Sequence, residues 1–147
     1  MTNLNKIENN YKIEFQGYFK IGLIEVYTLQ DFLNFLESLN IARKGICYLS
    51  NYLKLFSGSW CFIIETENSI FAAVDRVRSR PVFIKSVNNN LNLSTRINEL
   101  RKDSNLENIP QYFLRYYENN RIAPPSKTLD SNIEVLRPCS YIYFKDN

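Results

Sequence analysis

The sequence contains no histidine. That absence removes the Ser-His-Asp and Cys-His arrangements of nucleophilic catalysis, and every histidine-based zinc site. Proton transfer near neutral pH would fall to a perturbed carboxylate, lysine, cysteine or tyrosine. Glycine and proline are scarce, at 4 and 5 of 147 residues, which excludes collagen-like and linker-type chains. Cysteine is limited to Cys47, Cys61 and Cys139. An odd number at spacings that fit no metal motif argues against both a disulfide framework and a metal site. No apolar run approaches the roughly 18 residues of a membrane span. Residues 1–10 are polar and lack the apolar core of a secretory signal. Together these point to a cytoplasmic protein with reduced thiols. Charge is nearly balanced, with 18 Lys and Arg against 15 Asp and Glu, a net +3. A nucleic-acid binder concentrates far more basic charge on one face, so neither nucleic acid nor membrane is expected as a partner.

What is present is ordinary globular material. Hydrophobic residues make up 45% and charged residues 22%, which excludes wholesale disorder. Aromatics are abundant: 10 Tyr, 10 Phe and 1 Trp. The length fits one domain, with residues 1–10 as a flexible N-terminus and 11–147 as the folded unit.

From Lys12 the pattern alternates. Ile13, Phe15, Gly17, Phe19, Ile21 and Leu23 fall on one face, and Lys12, Glu14, Gln16, Tyr18 and Lys20 on the other. This is a half-buried strand, bent or broken at Gly17 or Gly22. Thr28 and Asp31 form a capping-box pattern ahead of Leu29, Phe32, Leu33, Leu36 and Leu39, which predicts a helix over 29–38. The stripe Ile46, Leu49, Leu53 and Phe56 predicts a second helix over 46–56, with Gly58 placed to cap its end. Residues 60–65 and 69–75 are β-rich runs around Glu67-Asn68, which predicts a hairpin. Residues 81–85 and 91–94, joined by a turn at Asn88-Asn89-Asn90, extend this to a meander of four strands. A short helix over 96–102, capped by Ser94 or Thr95, and another over 110–118 opening at Pro110 follow. Tyr112, Phe113, Tyr116 and Tyr117 read as an aromatic core stripe of the latter, since no basic groove interleaves them for base stacking. Pro124-Pro125 marks a turn, and 133–136 and 141–144 read as closing strands around Arg137-Pro138. Segregated strands and helices of this kind argue for an α+β fold with antiparallel sheets.

Asp75-Arg76-Val77-Arg78-Ser79-Arg80 carries the densest charge. In an extended chain its three arginines would share one face. A solvated strand end is the simpler reading, and a phosphate site the sharper one.

Four segments, in order, resemble the glutaminase-type domain of asparagine synthetases, which is a class II glutamine amidotransferase module of the N-terminal-nucleophile (Ntn) fold. Residues 56–63, Phe-Ser-Gly-Ser-Trp-Cys-Phe-Ile, are similar to that family's L-x-G-x-F-A-F-x-I. Residues 73–84 are similar to A-R-D-R-x-G-x-K-P-L-Y-Y, and residues 91–100 to L-x-F-A-S-E-I-K-A-L. Lys127-Thr128-Leu129 and residues 133–142 follow T-x-F-x-x-I-x-x-L-P-P-G-H-Y-L. The resemblance spans about Gly58 to Phe144. It implies an Ntn-hydrolase-like αββα sandwich with antiparallel sheets, N-terminally reduced in this chain.

The departures are specific. Active members expose an N-terminal Cys after Met removal, whereas Met1 is followed here by Thr2 and Asn3. Threonine can serve as an N-terminal nucleophile, but the Gly-Ile-x-G strand that follows the nucleophile in the family is absent. The glutamine-binding N-G-E-I-Y-N motif has only a faint echo at Glu25-Val26-Tyr27, and the family's carboxylate-gripping Arg has no counterpart. Arg78 stands where the family has the Gly of R-D-R-x-G, and Cys139-Ser140 where it has the Gly-His of P-P-G-H-Y. An arginine at such a glycine position is expected to change the turn, because only glycine reaches left-handed backbone angles freely. The S-G-G-x-D-S loop of the family's second domain is not in this chain, so adenylation by the chain alone is not expected.

The resemblance therefore implies a domain with no catalytic residue, cofactor or metal. It implies a scaffold or partner of an asparagine-synthetase-type ATP-pyrophosphatase, in peptide natural-product or surface-sugar biosynthesis, and leaves a homodimer open. The alternative is a small-molecule or peptide binding module that reuses the glutamine pocket, with Asp75, Arg76 and Arg78 at its rim. A third is an amidohydrolase with a cryptic nucleophile, Thr2 or a cysteine.

Overall fold

The computed structural model describes residues 11–87, 90–101, 111–120 and 126–145. Two antiparallel sheets carry the fold. The first has five strands: β1 (Lys12–Ile21), β2 (Ile24–Val26), β3 (Ser57–Glu65), β4 (Ser69–Val74) and β8 (Tyr141–Lys145), in the order β2-β1-β3-β4-β8. The second has three: β5 (Phe83–Val87), β6 (Asn90–Ser94) and β7 (Ile133–Val135), in the order β6-β5-β7. The helices are α1 (Leu29–Ser38), α2 (Ile41–Lys44), α3 (Ile97–Leu100) and α4 (Gln111–Asn120). The architecture is mixed α+β with antiparallel pairing throughout.

The period-two pattern of β1 emerges as a continuous strand paired with β3 from Lys12–Glu65 to Lys20–Ser57. Gly17 does not break it. With φ 97° it lets the two backbones close in, and a Cβ there would lie 1.9 Å from the Ser59 carbonyl oxygen. Gly58 does the same from the other strand, at φ 137°, where a Cβ would meet the Tyr18 oxygen at 2.4 Å. Gly58 is thus a strand residue and not a helix cap. The chain reverses instead at Gly22-Leu23, which joins the Ile21–Ile24 pair of a hairpin. Leu23, expected on the core face, sits fully exposed in that turn.

Helix α1 begins where its capping box places it. Thr28 Oγ1 accepts from Asp31 N at 3.1 Å, and Asp31 Oδ2 accepts from Thr28 N at 2.9 Å. Its stripe buries Phe32, Leu33, Phe35 and Leu36 on one face of the five-stranded sheet. The centre of this core is aromatic: Phe19 stacks on Phe56 at 4.2 Å and meets Phe35 edge-on at 5.4 Å. The opposite face carries Cys61, Ile63, Ala72 and Val74, packed with Val82, Leu136 and the half-buried Ile84 and Leu93 of the three-stranded side. Polar bonds tie the sheets together at one end. Gln16 Nε2 donates to Thr95 Oγ1 at 2.8 Å, and Thr95 Oγ1 donates to Glu14 Oε2 at 2.9 Å.

Three expectations are corrected. Residues 46–56 form two 3-10 segments, Ile46–Asn51 and Leu53–Leu55, not one α-helix, and α2 precedes them. The apolar spacing of Ile46 and Leu49 fits three residues per turn as well as 3.6, so periodicity alone could not choose. The four strands from β3 to β6 are not one meander, because the chain leaves the first sheet after Val74 and starts the second at Phe83. In α4 only Phe113 is buried, while Tyr112 and Tyr117 are exposed and Tyr116 half-buried, so the aromatic stripe is largely on the surface. The expectations for residues 1–10, Asn88, Asn89, Pro110, Pro124 and Pro125 lie outside the described residues. No helix among the described residues is long and apolar enough to cross a membrane.

Candidate functional site

Asp75 follows β4 directly and is 2% exposed. A carboxylate buried this deeply must be satisfied. Its Oδ2 accepts from Trp60 N at 2.9 Å, its Oδ1 from Val77 N at 2.8 Å, and both from Ser79 N at 3.2 Å. Burial pushes the carboxyl upward, but the amides of Trp60, Val77 and Ser79 outweigh it and hold the group below its ordinary value. Asp75 Oδ1 and Oδ2 are thereby committed to shaping the chain between β4 and β5. No ion pair joins Asp75 to Arg76 among the described residues.

This loop also decides the fate of the arginine run. Residues 76–80 turn, so the three guanidiniums do not line one face as an extended strand would present them. Arg76 is exposed, and its Nη2 lies 3.4 Å from the Lys54 carbonyl. Arg78 is half-buried at φ 53°, with Nη1 buried and without a partner among the described residues. Arg78 thus takes the left-handed backbone that glycine adopts most freely. Cys139, at the second glycine position of the resemblance, likewise has φ 54°.

The thiols divide by burial. Cys61 lies in the inter-sheet core, and burial pushes its thiol up to about 12. It is no nucleophile near neutral pH. Cys47 and Cys139 are exposed. Thr2 lies outside the described residues. Among those described, no cluster of three or more His, Cys, Asp or Glu is arranged to hold a metal.

A cavity of about 430 Å³ opens where the 3-10 segments, the β3–β4 end and the start of β8 meet. Leu53, Phe56, Trp60, Val74 and Tyr141 make its lining predominantly apolar, and Lys54 and Arg76 are the charged residues in it. Cys139 and Ser140 also border it. Of the three residues singled out in the sequence, Arg76 lines this cavity, whereas Asp75 and Arg78 do not. Lys54, Trp60 and Tyr141 were not foreseen. They come from three separate segments, and only the solitary tryptophan stood out as a residue.

Comparison with protein-family models, with curated proteins and with solved structures gives no match for this chain.

Proposed function

We propose that this chain is a non-catalytic, class II glutamine amidotransferase-like domain of the asparagine-synthetase type. It serves as scaffold or partner of an ATP-pyrophosphatase synthetase subunit, in natural-product peptide or surface-sugar biosynthesis. The observation that carries the reading is backbone geometry. Arg78 and Cys139, the residues standing at two glycine positions of the family motifs, both keep positive φ, at 53° and 54°. Non-glycine residues take that conformation at a cost, so its retention at both positions supports descent from glycine-bearing motifs. The residue that would do the chemistry in the family, an N-terminal Cys, has Thr2 in its place.

A docking role draws support from the exposed face of the β1–β2 hairpin. Tyr18 stacks on Tyr27 at 6.0 Å beside the Lys20–Glu25 ion pair, and Leu23, Ile24 and Leu29 are exposed nearby in sequence. Apolar and aromatic side chains gathered at a sheet edge mark interaction surfaces. The test is affinity purification from the native cell with identification of what co-elutes. A stoichiometric ATP-pyrophosphatase carrying an S-G-G-x-D-S loop, lost on changing Tyr18 and Tyr27 to Ser, is the expected result. A clean monomer in the presence of the synthetase subunits of that cell overturns the reading.

A second reading, a small-molecule binding module, is favoured by one observation: Arg76 lines a cavity large enough for a ligand.

A further inference from the structure

We propose that the cavity beside Trp60 binds a small carboxylate with an apolar, aromatic or branched-aliphatic body. The inference takes up the binding-module reading and names its ligand class; it does not depend on the scaffold reading.

Volume comes first. About 430 Å³ falls within the roughly 300–1,000 Å³ of small-molecule sites. The walls of Leu53, Phe56, Trp60, Val74 and Tyr141 would take the apolar body, which excludes sugars and other polyols as the main ligand class. Charge comes second. Among the described residues, Lys54 and Arg76 are the only charged residues of the lining, both are exposed, and no acidic side chain opposes them there. Asp75, the nearest carboxylate in sequence, lies outside the lining with its oxygens occupied by the Trp60, Val77 and Ser79 amides. A ligand anion therefore meets uncompensated positive charge, and Arg76 can present its guanidinium fork to a carboxylate.

The third observation is an orphaned donor. Trp60 is 3% exposed, and among the described residues its Nε1, itself closed off from solvent, has no hydrogen-bond partner. Buried indole N–H groups normally find an acceptor. An apolar pocket under two cations, with that indole in its wall, fits a ligand that brings an apolar body and a negative charge together.

The chain supplies its own reporter, because Trp60 is its only tryptophan. The full chain is titrated with hydrocinnamate, with the neutral hydrocinnamamide and with the corresponding amine, using excitation selective for tryptophan. The expected result is a saturable change with hydrocinnamate, and binding of the amide at least about tenfold weaker, the amount one charge-assisted contact supplies. Arg76→Gln and, separately, Lys54→Gln should each weaken hydrocinnamate by about three- to tenfold while leaving the amide unchanged. Both residues are exposed, so either variant retains the fold. Saturating hydrocinnamate should also slow alkylation of Cys139 at the cavity border but not of Cys47. Equal binding of acid and amide overturns the carboxylate assignment while leaving a binding module standing. No saturable response to any of the three overturns the cavity as a site. Full hydrocinnamate affinity in both variants overturns the roles of Lys54 and Arg76.

Discussion

The peptide N–H groups of Arg78 and Cys139 converge on one acceptor, the main-chain oxygen of Asp75, at 3.2 and 2.9 Å. Sixty-one positions apart in sequence, the two residues share the same left-handed backbone, at φ 53° and 54°. Each turns its loop so that an amide reaches the same carbonyl. The side chains of Arg and Cys play no part in that bond, so the conformation is imposed on residues ill suited to it.

Replacing Arg78 by glycine should therefore stabilise the protein. Left-handed backbone costs a non-glycine residue roughly 1–2 kcal/mol, and glycine gives back about 0.5–1 kcal/mol through the unfolded chain. A net gain of up to about 1 kcal/mol, read as a rise in Tm of about 2–4 °C, is expected. Release of the Arg78 Nη1 from burial adds in the same direction. Arg78→Val, whose branched Cβ tolerates positive φ least, should lower Tm.

Asp75→Ala should be among the most damaging single changes. It strips acceptors from the Trp60, Val77 and Ser79 amides, at a cost of about 3 kcal/mol in chemical denaturation. Asp75→Asn, which keeps one acceptor oxygen, should fall between the two. The pH dependence has a definite direction. The folded-state carboxyl lies below its ordinary value of 3.8, so its contribution is complete above that value and is lost as pH falls through the folded-state value. Wild-type stability should drop in that acid window, and the Asp75→Asn variant should show a shallower drop there.

Gly17→Ala and Gly58→Ala should each cost about 3 kcal/mol or more, or prevent folding. The added methyl would stand 1.9 Å from the Ser59 oxygen in one case and 2.4 Å from the Tyr18 oxygen in the other. Gly22→Ala is the internal control. Its Cβ meets nothing within 4 Å, and it should lose only the cost of its φ of 58°, about 1 kcal/mol. Equal losses in all three would show that close backbone approach is not the cause.

Removing the helix cap offers a milder test. Thr28→Ala should destabilise by about 1 kcal/mol, since it leaves the Asp31 amide without its side-chain acceptor. Thr28→Ser should recover most of the loss.

The local signals were the legible ones. The Thr28–Asp31 box set the start of α1, and the two β-rich runs around Glu67-Asn68 gave β3 and β4, because capping and hairpin turns depend on residues a few positions apart. In residues 46–56 the apolar stripe was legible, with Ile46, Leu49 and Phe56 buried, but not its 3-10 form, because three and 3.6 residues per turn diverge little over so short a stripe. The arginine run misled, since its path is fixed by the side chain of Asp75 gripping three amides, one of them in β3. The cavity could not be foreseen at all. It is assembled by tertiary contact among Leu53, Trp60, Arg76 and Tyr141, and no local pattern links them.

The strand order has a consequence for how the chain reaches its native state. The outer partner of β4 is β8, more than 60 positions later, and the second partner of β5 is β7, about 50 positions later. Sheets closed by such distant pairings form slowly, because the intervening loop must be ordered before the pairing rewards it. A nascent chain that has emerged only as far as β6 would hold β4 and β5 with one side of each ladder open, the apolar Ile70, Phe71 and Ala72 among them. Synthesis, then, leaves a vulnerable interval between β6 and β8 in which chaperone capture or aggregation competes with completion of both sheets.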